Sequence, residues 1–122
     1  MSKKFILIDQ NPEKKVADDI TAQFFMELRS GDIDKIRSFI TSHKTKTNLI
    51  EKDTKKTPYH VILELDDRIA DSTTKLRILN YLDTIDAPFD LPDGNNNWPI
   101  HIAVDTQNID LVKFIINKKS DL

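Results

Sequence analysis

The chain has 122 residues, 39% of them apolar and 31% charged, with a net charge of −2. That length accommodates about one domain with one modest core, and the near-balanced charge gives no global pull toward nucleic acid or anionic lipid. Zero cysteines exclude disulfides, thiolate catalysis and cysteine metal clusters, and nothing approaches the run of about 18 apolar residues that a membrane span requires.

The absence of cysteine fits a reducing, cytoplasmic compartment. Lysine outnumbers arginine 14 to 4, which reads as AT-rich coding of the kind found in some intracellular pathogens and large viruses. Residues 1–19 read as a charged N-terminal arm. Their one apolar patch, Phe5 to Ile8, is too short for a secretory core, and Pro12 is expected to break any early helix. Two readings of the arm stand open: poor order, or a short strand or plug of Phe5 to Ile8 on the first helix.

Ile20 to Arg29 then reads as a helix with Phe24, Phe25 and Leu28 on its apolar side and Asp18 or Asp19 as its cap. Gly31 supplies a left-handed turn. A second helix follows, with Ile33, Ile36, Phe39 and Ile40 on one face. The same pattern recurs at Ile109, Val112, Ile115 and Ile116, at a constant offset of 76, and predicts one buried stripe in each helix. Between them, Thr41 to Lys56 is a polar connection rich in lysine. The segment Thr57-Pro58-Tyr59-His60 matches Trp98-Pro99-Ile100-His101. Proline is preset for a first helical position, and Thr57 before it can accept from a free N–H. A third apolar run, Leu76, Leu79, Tyr81 and Leu82, precedes Asp86-Ala87-Pro88 and the polar turn at Asp93 to Asn97.

These residues carry a resemblance. Asp93, Asn96, Trp98, Pro99, Ile100, His101 and Ala103 follow the ankyrin-repeat pattern of a turn leading into Thr-Pro-Leu-His-x-Ala, with Trp98 in the place of Thr. From residue 20 to 122 the chain resembles an ankyrin-repeat protein. The resemblance implies an all-α solenoid of stacked helix-turn-helix units joined by hairpin-like turns. Its repeats run roughly over 20–52, 53–92 and 93–122. The leg from tetrapeptide to second-helix anchor spans 11 residues in the first and last repeats (22 to 33, 98 to 109) but 19 in the middle one (57 to 76). The middle repeat therefore carries about eight extra residues within Asp66 to Thr74. The first repeat has Ala22-Gln23-Phe24-Phe25 where the tetrapeptide belongs, as a degenerate cap. Lys55, Asp86 and Lys119 stand where the family favours glycine, at a cost on the order of 1 kcal/mol for each one held at positive φ; marginal stability follows.

Enzymatic readings are poor. Two glycines make no phosphate-cradling loop, and no serine lies in a nucleophile elbow. His60 and His101 occupy equivalent places in neighbouring repeats and read as structural, bonding between turns as the family implies. No catalytic residue, cofactor or metal is expected. The family implies protein binding through turn fingers and a concave face of first helices. An adaptor or scaffold is the first expectation; the N-terminal regulatory or targeting segment of a larger enzyme or pathogen effector is the alternative. The candidate contacts are Lys55, Lys56, Glu64, Leu65, Asn95, Asn97, Trp98, Asp105 and Thr106. For Trp98, packing between helices and an interface anchor both stand open. For the lysine finger, a solvated surface and an acidic-partner contact do, and for the insertion, drift and a partner-specific loop. The expected partner is another protein, not nucleic acid and not a membrane. The apolar C-terminal face is expected to be covered by further ankyrin repeats or by a partner, in a chain that is a fragment of a longer array.

Overall fold

The structure is a computed structural model that describes residues 12–43 and 49–120; the Phe5 to Ile8 patch lies outside them. Among the described residues six helices follow one another: α1 Pro12–Ser30, α2 Ile33–His43, α3 Pro58–Glu64, α4 Ser72–Thr84, α5 Pro99–Asp105 and α6 Ile109–Ser120. Among the described residues there is no strand. Helices α1, α3 and α5 pack in one row and α2, α4 and α6 in a second, each hairpin joining the rows. This is the all-helical, two-row solenoid that the repeat pattern implies.

Each helix begins where its sequence provides for the free N–H groups. Pro12 opens α1 rather than breaking it, because a first-position proline has no N–H to lose. The helix thus starts eight residues before the expected Ile20, and Asp18 and Asp19 lie inside it rather than capping it. The Asp32 carboxylate accepts from the N–H groups of Asp34 and Lys35 at 2.9 and 3.3 Å to start α2. Thr57 caps α3 in a reciprocal box with His60, Asp71 caps α4 through the Thr74 N–H at 2.9 Å, and Asn108 caps α6 through the Leu111 N–H at 3.1 Å. Only half of the box forms at α5: an indole offers no acceptor, so the sole cap bond runs from the Trp98 N–H to His101 Nδ1, 3.1 Å.

The core runs between the rows and through all three repeats: Phe24, Phe25, Leu28 and Ile36, then Tyr59, Ile62, Ile78, Leu79 and Leu82, then Ala103, Leu111 and Ile115. The stripe expected of the last helix is corrected by this list. Leu111 and Ile115 are buried, whereas Ile109 and Ile116 are 68% and 48% exposed. Val112, between them on the same face, is partly buried against the core.

The middle insertion is not a free loop. Ser72, Thr73 and Thr74 form an added start to α4, and only residues 66–71 are irregular. That loop folds on itself, Asp66 O accepting from the N–H groups of Ile69 and Ala70, and it packs on the first repeat. A Cβ placed on Gly31 would lie 2.9 Å from Ile69 Cγ2 and 3.2 Å from Ala70 Cβ. Gly31 thus serves two needs, a left-handed φ of +68° and a close approach.

Among the described residues, the non-glycine ones in the left-handed region are Lys55, Asp86, Asn96 and Gln107, at φ 62°, 57°, 64° and 59°. Lys55 and Asp86 were expected from the repeat pattern. Lys119 is corrected: it is helical, because α6 continues to Ser120. Gln107 is the counterpart of Gly31 at the 76-residue offset and closes the turn between α5 and α6.

The two equivalent turns generate opposite expectations. Gly31→Ala should destabilise the chain by about 1–2 kcal/mol, since it adds both backbone strain and a contact with Ile69. Gln107→Gly should stabilise it by a few tenths to about 1 kcal/mol, as relief of the left-handed conformation outweighs the added chain entropy. Urea denaturation of both variants at neutral pH measures the two shifts; equal signs would contradict the assignment of the turns. A further stability test lies at Tyr59, whose ring is buried against Phe89 with centroids 5.1 Å apart and whose hydroxyl is buried without a hydrogen-bond partner. Tyr59→Phe should leave stability unchanged or raise it by about 1 kcal/mol in the same assay, because an unsatisfied buried hydroxyl is costly.

Candidate binding surface

Two fingers precede α3 and α5. In the first, Glu51 N–H donates to Lys56 O and Lys55 N–H to Glu51 O, both at 2.9 Å. In the second, Asp93 N–H donates to Asn97 O at 2.9 Å and Asn96 N–H to Asp93 O at 3.0 Å. The buried Asp93 carboxylate accepts from the Asn95 and Asn97 N–H groups, each at 2.9 Å. Burial pushes its pKa up. The Asn97 and Asn95 amides and the nearby Lys56 ammonium outweigh that, so it lies below the usual carboxylate range.

The fingers are tied together. Gly94 N–H donates to Thr54 O at 2.7 Å across the repeats, and a Cβ on Gly94 would stand 3.0 Å from that oxygen. His60 provides the deeper tie. Its Nδ1 accepts from the Thr57 N–H at 3.0 Å, which leaves the proton on Nε2 to donate to Asn97 O at 2.7 Å. One buried imidazole thus fixes the start of its own helix and the finger of the next repeat. The first finger is also held to α1, where the Arg29 guanidinium forks onto Glu51 at 2.7 and 2.9 Å. That hydrogen bond keeps the Glu51 carboxyl below its ordinary pKa.

Eight of the nine sequence candidates fall into three places. Glu64, Leu65, Asp105 and Thr106 converge: with Leu63, Asp66, Asp67, Lys75 and Ile102 they line one groove of about 560 Å³ at the ends of α3 and α5. Lys55 lines a second groove of about 630 Å³ between α1 and the first finger, with Met26 exposed on its wall. Asn95 and Asn97 are exposed at the tip of the second finger, and Trp98 is half-buried at its base with Lys119 Nζ 5.7 Å from the ring centre. Lys56 joins neither groove but pairs with Glu64 at 2.6 Å.

Electrostatics narrow what these surfaces can do. Lys52 is bonded to Asp18 and Lys56 to Glu64, so two of the three finger lysines carry intramolecular partners. In the groove between α3 and α5, Asp66 meets Arg68 and Asp67 meets Lys75. Neither groove is therefore a bare field of one sign, and each mixes apolar walls with compensated charge, as protein interfaces do. Sequence reading missed Gly94, the Arg29–Glu51 fork and Met26. For Gly94 the signal was present, since only two glycines occur; the other two depend on contacts between distant segments.

A relative supports the repeat reading. The chain is 54% identical over 111 residues, 87% of its length, to ankyrin repeat protein L484 of Acanthamoeba polyphaga mimivirus. The chain belongs to the ankyrin-repeat family. It spans about 6% of the length of that relative. No family model and no solved structure matches it. Membership makes it a protein-interaction module in the general sense, and the viral relative fits the expectation, drawn from lysine usage, of an origin among pathogens or large viruses.

The acid sensitivity of the fingers follows from Asp93 and Glu51. Both carboxyls titrate lower in the folded chain than in the unfolded one, so the stability they contribute is complete above the ordinary carboxylate range of about 4 and is lost as pH falls below it. Asp93→Asn should lower stability at pH 7 and shrink the difference between pH 7 and pH 3. Guanidinium denaturation of both chains at the two pH values measures this, and an undiminished difference in the variant would exclude Asp93 as a source.

Proposed function

We propose that this ankyrin chain is an adaptor or scaffold that binds another protein through its finger tips and the row of α1, α3 and α5. The observation that carries the reading is the second finger. Every backbone N–H from Asp93 to Asn97 is bonded, and the Asn97 carbonyl is held by His60, while the side chains of Asn95 and Asn97 remain exposed. A finger held in one conformation loses little entropy on binding. Protein is favoured over nucleic acid because Lys52 and Lys56 are engaged by carboxylates, which removes two of the three charges a phosphate backbone would recruit. The setting is the cytoplasm, or the host cytosol for a pathogen protein. The apolar face of the third repeat is covered by further repeats or by a partner. The second reading is a regulatory or targeting segment of a larger enzyme or effector; the extent of the mimivirus relative beyond the matched segment favours it.

Capture from cell lysate tests the binding face. Lys55→Glu and Asp105→Lys reverse charge in the two grooves, and Lys113→Glu on the outer helix α6 is the control. With equal melting curves, the groove variants should lose at least about tenfold of the captured protein, equivalent to 1.4 kcal/mol, while the control retains it. Equal capture by all three would exclude the finger side.

A further inference from the structure

Helix α1 presents apolar surface to the first finger that the described residues leave open. Met26 is 63% exposed, and Ala22, one turn before it, is exposed as well. With Ile50 of the finger they form the apolar part of the groove of about 630 Å³ that Lys55 also lines. Ion pairs between helix and finger flank this stretch at both ends: Lys52 bonds Asp18, and Arg29 forks onto Glu51. Between them lies an apolar slot, which suits an extended apolar segment better than a charged one.

The chain carries such a segment outside the described residues, Phe5-Ile6-Leu7-Ile8. Helix α1 starts at Pro12, and the residue before a proline is biased toward extended backbone, so Asn11 leads away from the helix rather than prolonging it. Reach then decides where the segment arrives. Along α1, Ala22 lies about 15 Å and Met26 about 21 Å from Pro12. A chain running back along the helix covers at most about 18 Å from Pro12 to Leu7 and about 25 Å to Phe5. Leu7 thus reaches Ala22 and Phe5 reaches Met26, with little slack. The spacings agree as well: alternate residues of an extended segment stand about 6.6 Å apart on one side, and helical positions four apart about 6 Å. The rival place is the open end of the first hairpin, a hollow of about 540 Å³. Among its described lining residues only Phe39 is apolar, and that ring is already stacked on Phe24 and His43, with centroids 6.2 and 4.3 Å apart.

We propose that Phe5 to Ile8 lie extended and antiparallel to α1 in the groove, with Phe5 on Met26, Leu7 on Ala22, and Ile6 and Ile8 toward Ile50. The chain thus fills its own first groove, and a protein that docks at Lys55 must displace the segment. That consequence rests on the partner reading above; the placement does not.

The absence of cysteine makes the placement measurable. In the full chain, Leu7→Cys is combined either with Ala22→Cys, in the groove, or with Gln23→Cys, which stands beside Glu27 on the side of the open end. The two positions are nearly equidistant from Pro12, so a loose tether would reach both alike. Equilibration in a glutathione redox buffer gives the effective concentration of each thiol pair. The Ala22 pair should exceed the Gln23 pair by at least about tenfold. Met26→Asp, at an exposed position, should keep the helical circular dichroism and lower the Ala22 value at least about fivefold. Equal bridging of the two pairs, a preference for Gln23, or indifference to Met26→Asp would overturn the proposal. So would bridges that form mainly between chains and scale with protein concentration, because the occupant would then be the segment of a second copy. Protein capture by the Lys55 and Asp105 variants does not enter these readouts, so either reading can fail alone.

Discussion

The imidazole of His60 is the contact on which the repeat geometry depends. It is fully buried, and burial obliges both ring nitrogens to find partners. The Thr57 N–H takes Nδ1 as its acceptor and so assigns the proton to Nε2, which then has one acceptor in reach, the Asn97 carbonyl. A local capping decision thereby sets the position of the next finger, 37 residues later in sequence. The Gly94–Thr54 bond reads the same spacing between finger backbones, and no side chain could stand at Gly94 without separating them. Helix start, finger and neighbouring repeat are one bonded unit rather than three elements in contact.

Against this stands the backbone strain of four non-glycine residues at positive φ. Asn96 and Asp86 are the mild cases, since short polar side chains tolerate the left-handed region; Lys55 and Gln107 do so less well. Packing on the far side of the hairpins offsets part of this. Lys118 reaches back from α6 to Asp83 while its ammonium lies 5.6 and 5.2 Å from the ring centres of Tyr59 and Phe89. A mostly covered cation over two aromatic faces ties the exit of the middle repeat to the last helix. Tyr59 fills this place with a larger ring than the leucine of the family pattern, and its orphaned hydroxyl is the cost of doing so.

The sequence was most legible where a pattern is local. The Pro-x-His starts, the Gly31 turn and the 76-residue offset located five of the six helices, and the excess of eight residues located the insertion. Reading failed where the outcome depends on what lies opposite. Pro12 looked like a breaker because its residue type was weighed without its position. The stripe at Ile109, Val112 and Ile116 was correct as a pattern but not as burial, because periodicity reports which face is apolar and not whether anything covers it. The candidate contacts were legible only as positions on first helices. That Glu64, Leu65, Asp105 and Thr106 share one groove follows from stacking α3 on α5, and that Lys56 is already engaged by Glu64 follows from side-chain reach.

Position 98 shows how the same fold tolerates opposite chemistry at equivalent sites. Thr57 is fully buried, its hydroxyl lies within reach of the His60 N–H and Nδ1, and the second finger passes over the imidazole it orients. An indole there could neither accept the cap bond nor fit beneath that finger. At position 98 the indole lies half-exposed beside Lys119, whose ammonium is held in turn by Asp90. The lost hydroxyl cap is partly made good, because His101 still accepts the backbone N–H. At position 98, no finger among the described residues covers the imidazole that follows, and the indole has room there.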